Sequence, residues 1–168
     1  TCGQMTSNDE GLASKSIEEA SGTATATETT TTTTPWTGTG TQQFGTFNDD
    51  KGYGIATDSS GNVYVVGHTN GGLDGNSNSG SYDLFLVKYN SSGTKQWTKQ
   101  LGTSSIEVGY DVSVDSSDNL YVSGYTEGDL DGNTNAGDAG DDSYGRDAFL
   151  VKYNNSGTKQ WTKQIGTN

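Results

Sequence analysis

Cysteine, proline, histidine and arginine are nearly missing from this chain. Its 168 residues include one of each: Cys2, Pro35, His68 and Arg146. A single cysteine excludes an internal disulfide, so whatever fold forms is held by packing and hydrogen bonds alone. Lys and Arg together number nine against 21 Asp and Glu, a formal charge of −12. Phosphate backbones are gripped by clustered basic side chains, so nucleic acid is not an expected partner, and anionic lipid surfaces are disfavoured on the same ground. No run approaches the roughly 20 apolar residues of a membrane-spanning helix. Leu, Ile, Val and Phe number 25, under a fifth of the chain. With this net charge that proportion approaches the composition of disordered segments.

The scarcity is uneven. Residues 1–35 contain only Leu12 and Ile17 from that apolar set, and from Ser14 onward the chain reads "SKSIEEASGTATATETTTTTTPW". Such a segment buries too little to offset its ordering entropy, so it is expected to be a disordered Thr/Ser-rich tether. A flexible chain from Cys2 to Trp36 reaches about 30 to 35 Å on average. The opening "TCGQ" followed by a polar tail resembles a bacterial lipoprotein cut just before its lipidated cysteine. The resemblance implies an acylated Cys2 and an extracytoplasmic chain, anchored to the bacterial outer membrane or secreted, with membrane contact only through that anchor. The alternative for Cys2 is an ordinary exposed thiol.

From residue 36 to 168 the chain repeats itself. "TQQFGT", "TKQLGT" and "TKQIGT" place glycines at Gly45, Gly102 and Gly166, which are 57 and 64 residues apart. The extra residues of the second unit all fall between Leu130 and Asp147, which makes that segment a loop. The two units run from about 46 to 102 and from about 103 to 166. Each carries four strand signals divided by turn residues. "YGIATD" and "YDVSVD" give the first strand, "NVYVVGHT" and "NLYVSGYT" the second, "DLFLVKYN" and "DAFLVKYN" the third, and "TKQWTKQ" the fourth in both. Gly61 and Asp118 sit where the first turn calls for a left-handed backbone.

Both faces of the second and third strands carry bulk, with Val63 and Val65 against Tyr64 and Val66, and Leu84 and Leu86 against Phe85 and Val87. Sheets of this kind are covered on both sides. Sequential four-stranded units with two-sided sheets predict an all-β protein of β-propeller blades, with "TQQFGT" as a preceding outer strand. A β-sandwich of two four-stranded sheets is the alternative. Two blades do not close a ring of about four to eight, so further blades, in cis or from another chain, are expected partners. A chain ending where another unit would begin also reads as part of a longer one.

The phrases "DSSGNVYVVGHT" and "DLFLVKYNSSGTKQWTKQLGT" and their second copies resemble the SBBP β-propeller repeats of bacterial secreted and surface proteins. The resemblance extends from about Thr41 to Asn168. It implies blades and brings no catalytic signature with it.

Candidate sites lie first in the loop between the second and third strands. Asp74, Asn76, Asn78 and Asp83, and in the second unit Asp131, Asn133, Asn135 and Asp147, alternate hard oxygens in a Gly-rich setting of the kind Ca²⁺ takes. With two carboxylates the first site would be weak, in the ~10⁻⁴ to 10⁻³ M class, and Asp138, Asp141 and Asp142 add charge to the second. Asp, Asn and Gly are equally the residues of ordinary turns. His68 is replaced by Tyr125 in the second unit, which favours packing over catalysis. Asp58 and Asp115 recur as turn caps rather than as a paired acid for hydrolysis. Trp97, Trp161, Tyr89 and Tyr153 suit either a carbohydrate platform or grip within a blade. The lysines 88, 95, 99, 152, 159 and 163 read as solvated charges on outer strands.

Together these residues predict a non-catalytic surface scaffold for adhesion or ligand binding, to protein or carbohydrate, with Ca²⁺ as the only cofactor suggested. The alternative is part of a propeller hydrolase or lyase whose active site lies in other blades.

Overall fold

The structure, a computed structural model, describes residues 37–38, 40–136 and 145–166. The expected tether with Cys2, and Asp138, Asp141 and Asp142, lie outside the described residues. Eight strands form: β1 (Asp50–Thr57), β2 (Val63–Thr69), β3 (Asp83–Tyr89), β4 (Lys95–Leu101), β5 (Glu107–Val114), β6 (Leu120–Thr126), β7 (Asp147–Tyr153) and β8 (Lys159–Ile165). They make two four-stranded antiparallel sheets, β1-β2-β3-β4 and β5-β6-β7-β8, each in sequence order. Each repeat is therefore one blade, built as the alternating Val, Leu, Tyr and Phe of the strands require.

The hairpin turns follow from their Asp and Asn residues. At the β1–β2 turn Gly61 N–H donates to Asp58 O, and at the β5–β6 turn Asp118 N–H donates to Asp115 O, at 3.0 and 2.9 Å. Gly61 and Asp118 both have positive φ, +74° and +58°, as the turn needs. The β3–β4 turn is held by Asn90 Oδ1, which accepts from Ser92 N, Ser92 Oγ and Thr94 N. Asn154 repeats this at the β7–β8 turn.

Two sheets of this kind need a shared core, and it lies between them. Tyr64, Val66, Leu84 and Leu86 of the first blade pack with Val112, Leu120, Val122, Phe149, Val151 and Tyr153 of the second. The opposite face of the first blade gathers Phe85, Val87, Tyr89 and Leu73, with Val63, Val65 and Phe44 packed on them. Phe44 sits edge-on to Phe85 at 5.4 Å, and Thr37 N–H donates to Ser91 O at 2.7 Å. The "TQQFGT" segment thus covers a blade face by packing. It forms no strand, where the sequence predicted one: among the described residues it has no ladder partner, and the Phe44 side chain holds it against the blade.

On the far face of the second blade, Trp161 and Ile165 are exposed, although their counterparts Trp97 and Leu101 pack against the inter-blade core. Ser123 and Ala148 stand there in place of Val66 and Leu84.

One feature of the ladders was not legible in the sequence. The β1–β2 register shifts between Gly52 and Gly54 and the β5–β6 register between Gly109 and Asp111, so Tyr53 and Tyr110 are each the extra residue of a β-bulge. The opposing strand makes room with Gly67 and Gly124. A Cβ at either would lie 1.8 Å from Lys51 O or 1.9 Å from Val108 O, inside the neighbouring backbone.

Candidate functional site

The β2–β3 loop is the most variable part of the repeat, and its geometry among the described residues is dictated by hydrogen bonding within the chain. A 3₁₀ turn at Leu73–Gly75, and again at Leu130–Gly132, places Asp74 and Asp131 in the left-handed region at φ +50° and +54°. There each carboxylate meets β4 or β8. Asp74 accepts from Lys95 Nζ and Thr98 Oγ1, both at 2.5 Å, and Asp131 accepts from Lys159 and Thr162. The Lys95 contact, followed by that of Thr98, holds the Asp74 carboxyl below its ordinary pKa. Asn76 and Asn133 close the 3₁₀ turns by donating to Leu73 O and Leu130 O at 2.7 Å.

The remaining candidate ligands gather elsewhere. Asp83 is fully buried and accepts from Ser79 N at 2.8 Å, Gly80 N at 3.3 Å and Gln100 Nε2 at 3.0 Å. Asn78 donates to Gly80 O and accepts from the same Gln100 amide. Asp147 accepts from Ala136 N and Gln164 Nε2, both at 2.9 Å, and its Oδ1 is buried with no partner among the described residues. Asn135 donates to Gly145 O at 2.9 Å. The eight residues therefore divide. Asp74 and Asp131 face the Lys and Thr of the edge strands, while Asn78 and Asp83 meet at Gln100. Among the described residues no group of three or more His, Cys, Asp or Glu side chains converges as a metal cage would.

Sequence reasoning missed Gln100 and Gln164. Each amide spans three parts of its blade, accepting from the backbone N–H of Leu73 or Leu130 and donating to Gly71 O or Gly128 O and to the buried aspartate. The signal was available: Gln stands two residues before the glycine in all three copies of the "Q-x-G-T" phrase.

A second missed group joins successive repeats. Glu107 is fully buried at the start of β5, where Thr103 N, Thr103 Oγ1 and Thr126 Oγ1 all donate to it at 2.7 Å. Asp50, half-buried, holds β1 in the same way with Thr46 and Thr69. Buried carboxylates surrounded by donors are clamps, and these fasten the "G-T" ending of one repeat to the first two strands of the next.

Asp58 and Asp115 cap their turns, as expected. Asp58 accepts from Ser60 N, Asn62 N, Asn62 Nδ2 and Tyr64 Oη. Burial pushes its pKa up, but the donors from Asn62 and Tyr64 outweigh that and leave it lowered. Asp115 is drawn down to about 2, chiefly by Asn119. Lys88 departs from the expectation of a solvated charge. Its ammonium lies 5.1 Å from the Tyr64 ring centre and 3.8 Å from Asp58, and donates to Asn155 O of the second blade at 3.1 Å. β3 is an interior strand, and its lysine bridges blades. Tyr89 and Tyr153 are buried, and Trp97 packs beside Tyr64, which is the grip reading for those rings.

His68 is buried, and Tyr82 lies against its ring at 4.5 Å. In the second blade Tyr125 replaces His68 and Arg146 replaces Tyr82, with the guanidinium 4.5 Å from the Tyr125 ring centre and paired to Glu127 at 2.9 Å. An aromatic pair and a cation–aromatic pair thus fill the same place in successive blades.

A family model for a beta-propeller repeat, SBBP, matches residues 40–74 and 96–131. The two blades are SBBP-type repeats. The matched segments end at Asp74 and Asp131, so the SBBP pattern takes in the first two strands, the tyrosine bulges and the 3₁₀ turn of each repeat. No curated protein matches the chain. Among the described residues no helix is long and apolar enough to cross a membrane.

Proposed function

We propose that this SBBP repeat chain is a non-catalytic extracytoplasmic scaffold for adhesion or ligand binding, tethered by its N-terminal segment through an acylated Cys2. One observation carries the reading: the recurring carboxylates are each occupied by a turn, a clamp or a lysine of their own blade. Asp50, Asp58, Asp83 and Glu107 all accept hydrogen bonds that hold strands together. A general acid or nucleophile needs a group released from such duty and placed beside a second one.

The binding partner is a protein or a carbohydrate, and further blades join through the same face-to-face contact that unites these two. Nucleic acid remains outside this reading because of the charge of −12. The test compares cells that produce the full chain, cells that produce Cys2→Ala, and cells lacking it. Retention on glycan- or protein-coated surfaces is expected from the first alone, with the Cys2→Ala chain lost from the membrane fraction. Equal retention by all three would overturn the proposal.

A further inference from the structure

Tyr53 and Tyr110 are bulge residues on the first strand of each blade, and bulges re-aim side chains. Both rings are half exposed, at 49% and 51%, where few large apolar side chains are exposed among the described residues. Their centres are 5.5 Å apart at an interplanar angle of 65°. The row continues in both directions. His68 lies 5.5 Å from Tyr53 and 4.5 Å from Tyr82, while Tyr125 lies 5.8 Å from Tyr110 with Arg146 over its ring. Six side chains from two blades therefore form one continuous stripe.

A purely structural role accounts for this poorly. Tyrosines that served packing would bury their rings, as Tyr64, Tyr89 and Tyr153 do. The close approach of β1 and β5 is met instead by Gly54, where an added Cβ would stand 2.9 Å from Asp111 Cα. The stripe also holds an unspent polar group. His68 is 6% exposed, and neither ring nitrogen has a hydrogen-bond partner. Buried polar atoms without partners are rare in folded proteins and point to something that completes them.

The charges around the stripe restrict what it takes. Lys51 stands two residues before Tyr53 and pairs with Asp49 at 2.7 Å, and Arg146 pairs with Glu127 at 2.9 Å. Each end thus offers one cation and one carboxylate, donors and acceptors together, with little net charge. A polyanion would meet a chain of charge −12, and at either end the carboxylate that could fix an organic cation, Asp49 or Glu127, is already paired with a base. A neutral ligand with apolar faces and a polar rim meets neither penalty.

We propose that the stripe centred on Tyr53 and Tyr110 is a platform for a neutral saccharide chain. Sugar ring faces rest on the two exposed tyrosines, and hydroxyls reach the Asp49–Lys51 and Glu127–Arg146 pairs, in the pattern of an aromatic site with a few fixed polar groups. The inference rests on the binding-scaffold reading and names its ligand class. Because every repeat supplies one bulged tyrosine, affinity grows with the number of blades.

The test is calorimetric titration of the full chain with cellohexaose, chitohexaose and xylohexaose, with oligogalacturonate as the anionic comparator. At least one neutral probe is expected to bind, Tyr53→Ala and Tyr110→Ala each to weaken it at least tenfold, and Tyr53→Phe to retain it, with melting temperatures close to the parent. Binding of no neutral probe, binding of oligogalacturonate alone, or unchanged binding by both alanine variants would overturn the proposal. Those results leave the surface-retention test of the scaffold untouched, whereas loss of retention with intact oligosaccharide binding counts against adhesion alone.

Discussion

Ser59 in the first blade donates twice to Asp118 in the second, from its backbone N–H to Oδ1 at 3.2 Å and from its hydroxyl to Oδ2 at 3.0 Å. Both residues lie in the tip of the same hairpin, one repeat apart. Asp118 occupies the left-handed position that Gly61 fills in the first blade, so a residue that costs some backbone strain supplies the contact between blades. With Lys88 on Asn155 O and the shared apolar core, the two sheets form one cooperative unit.

That cooperativity is testable at Leu84, which is fully buried between the sheets. Leu84→Ala is expected to cost about 2 to 5 kcal/mol. At about 2 to 4 °C per kcal/mol for a chain of this size, the melting point falls by roughly 5 to 20 °C. Hydrogen exchange is expected to quicken in β5–β8 as well as in β1–β4. Acceleration confined to the first sheet would show the blades to be independent.

Asp58 holds its hairpin through four hydrogen bonds, one of them from the buried Tyr64 hydroxyl. Asp58→Ala strands those donors and is expected to cost about 2 to 3 kcal/mol in denaturant unfolding. The sign with pH follows from the lowered carboxyl pKa values of Asp58, Asp74 and Asp115. Their stabilisation is fully present above the ordinary value of 3.8 and is lost as pH falls through the folded values, about 2 for Asp115. Stability is therefore expected to decline below about pH 4, and Asp115→Asn to make that decline shallower.

Much of the fold follows from periodicity and repetition. Val63 to Val66 and Leu84 to Val87 announced sheets covered on both faces, and the Asp and Asn turns fell where their side chains cap the backbone. What stayed hidden was set by tertiary register. Tyr53 reads as an ordinary strand residue, because a bulge arises from pairing with β2 and leaves no local signature beyond its flanking glycines. How the loop residues divide was hidden for a related reason. Spacing placed Asp74 and Asp83 in one loop, but Lys95, Thr98 and Gln100 on the adjacent strand drew them to different donors.

His68 has its pKa lowered, first by burial and then by the positive charge of Lys51, against the opposing pull of Asp49 and Asp50. The groups facing it are Tyr53 from β1 and Tyr82 from the loop before β3. A histidine kept neutral in the fold takes up a proton more readily when unfolded, so stability is complete above about pH 6.5 and falls as pH drops below it. His68→Tyr, the residue of the second blade, is expected to flatten the melting temperature between pH 5 and 7. An unchanged pH profile would remove His68 as its source.

In the first β2–β3 loop the carboxylates are already satisfied by Lys95, Thr98 and Gln100, which leaves calcium little to gain there. A site with a dissociation constant of ~1 mM would give about 1.4 kcal/mol at tenfold excess, or roughly 3 to 6 °C in melting temperature. A shift within about 1 °C is expected on adding calcium at that level. A rise of several degrees, abolished by Asp83→Asn or Asp147→Asn, would favour the metal reading.

We propose that these stacked SBBP-type blades bind without turning over what they bind. The most direct measurement immobilises the full chain, passes the neutral oligosaccharides over it, and follows retention and release of new reducing ends together. The account predicts retention that depends on Tyr53 and Tyr110, with every oligosaccharide recovered intact. New reducing ends that disappear with Asp58→Asn would contradict it and assign the repeats to a hydrolase.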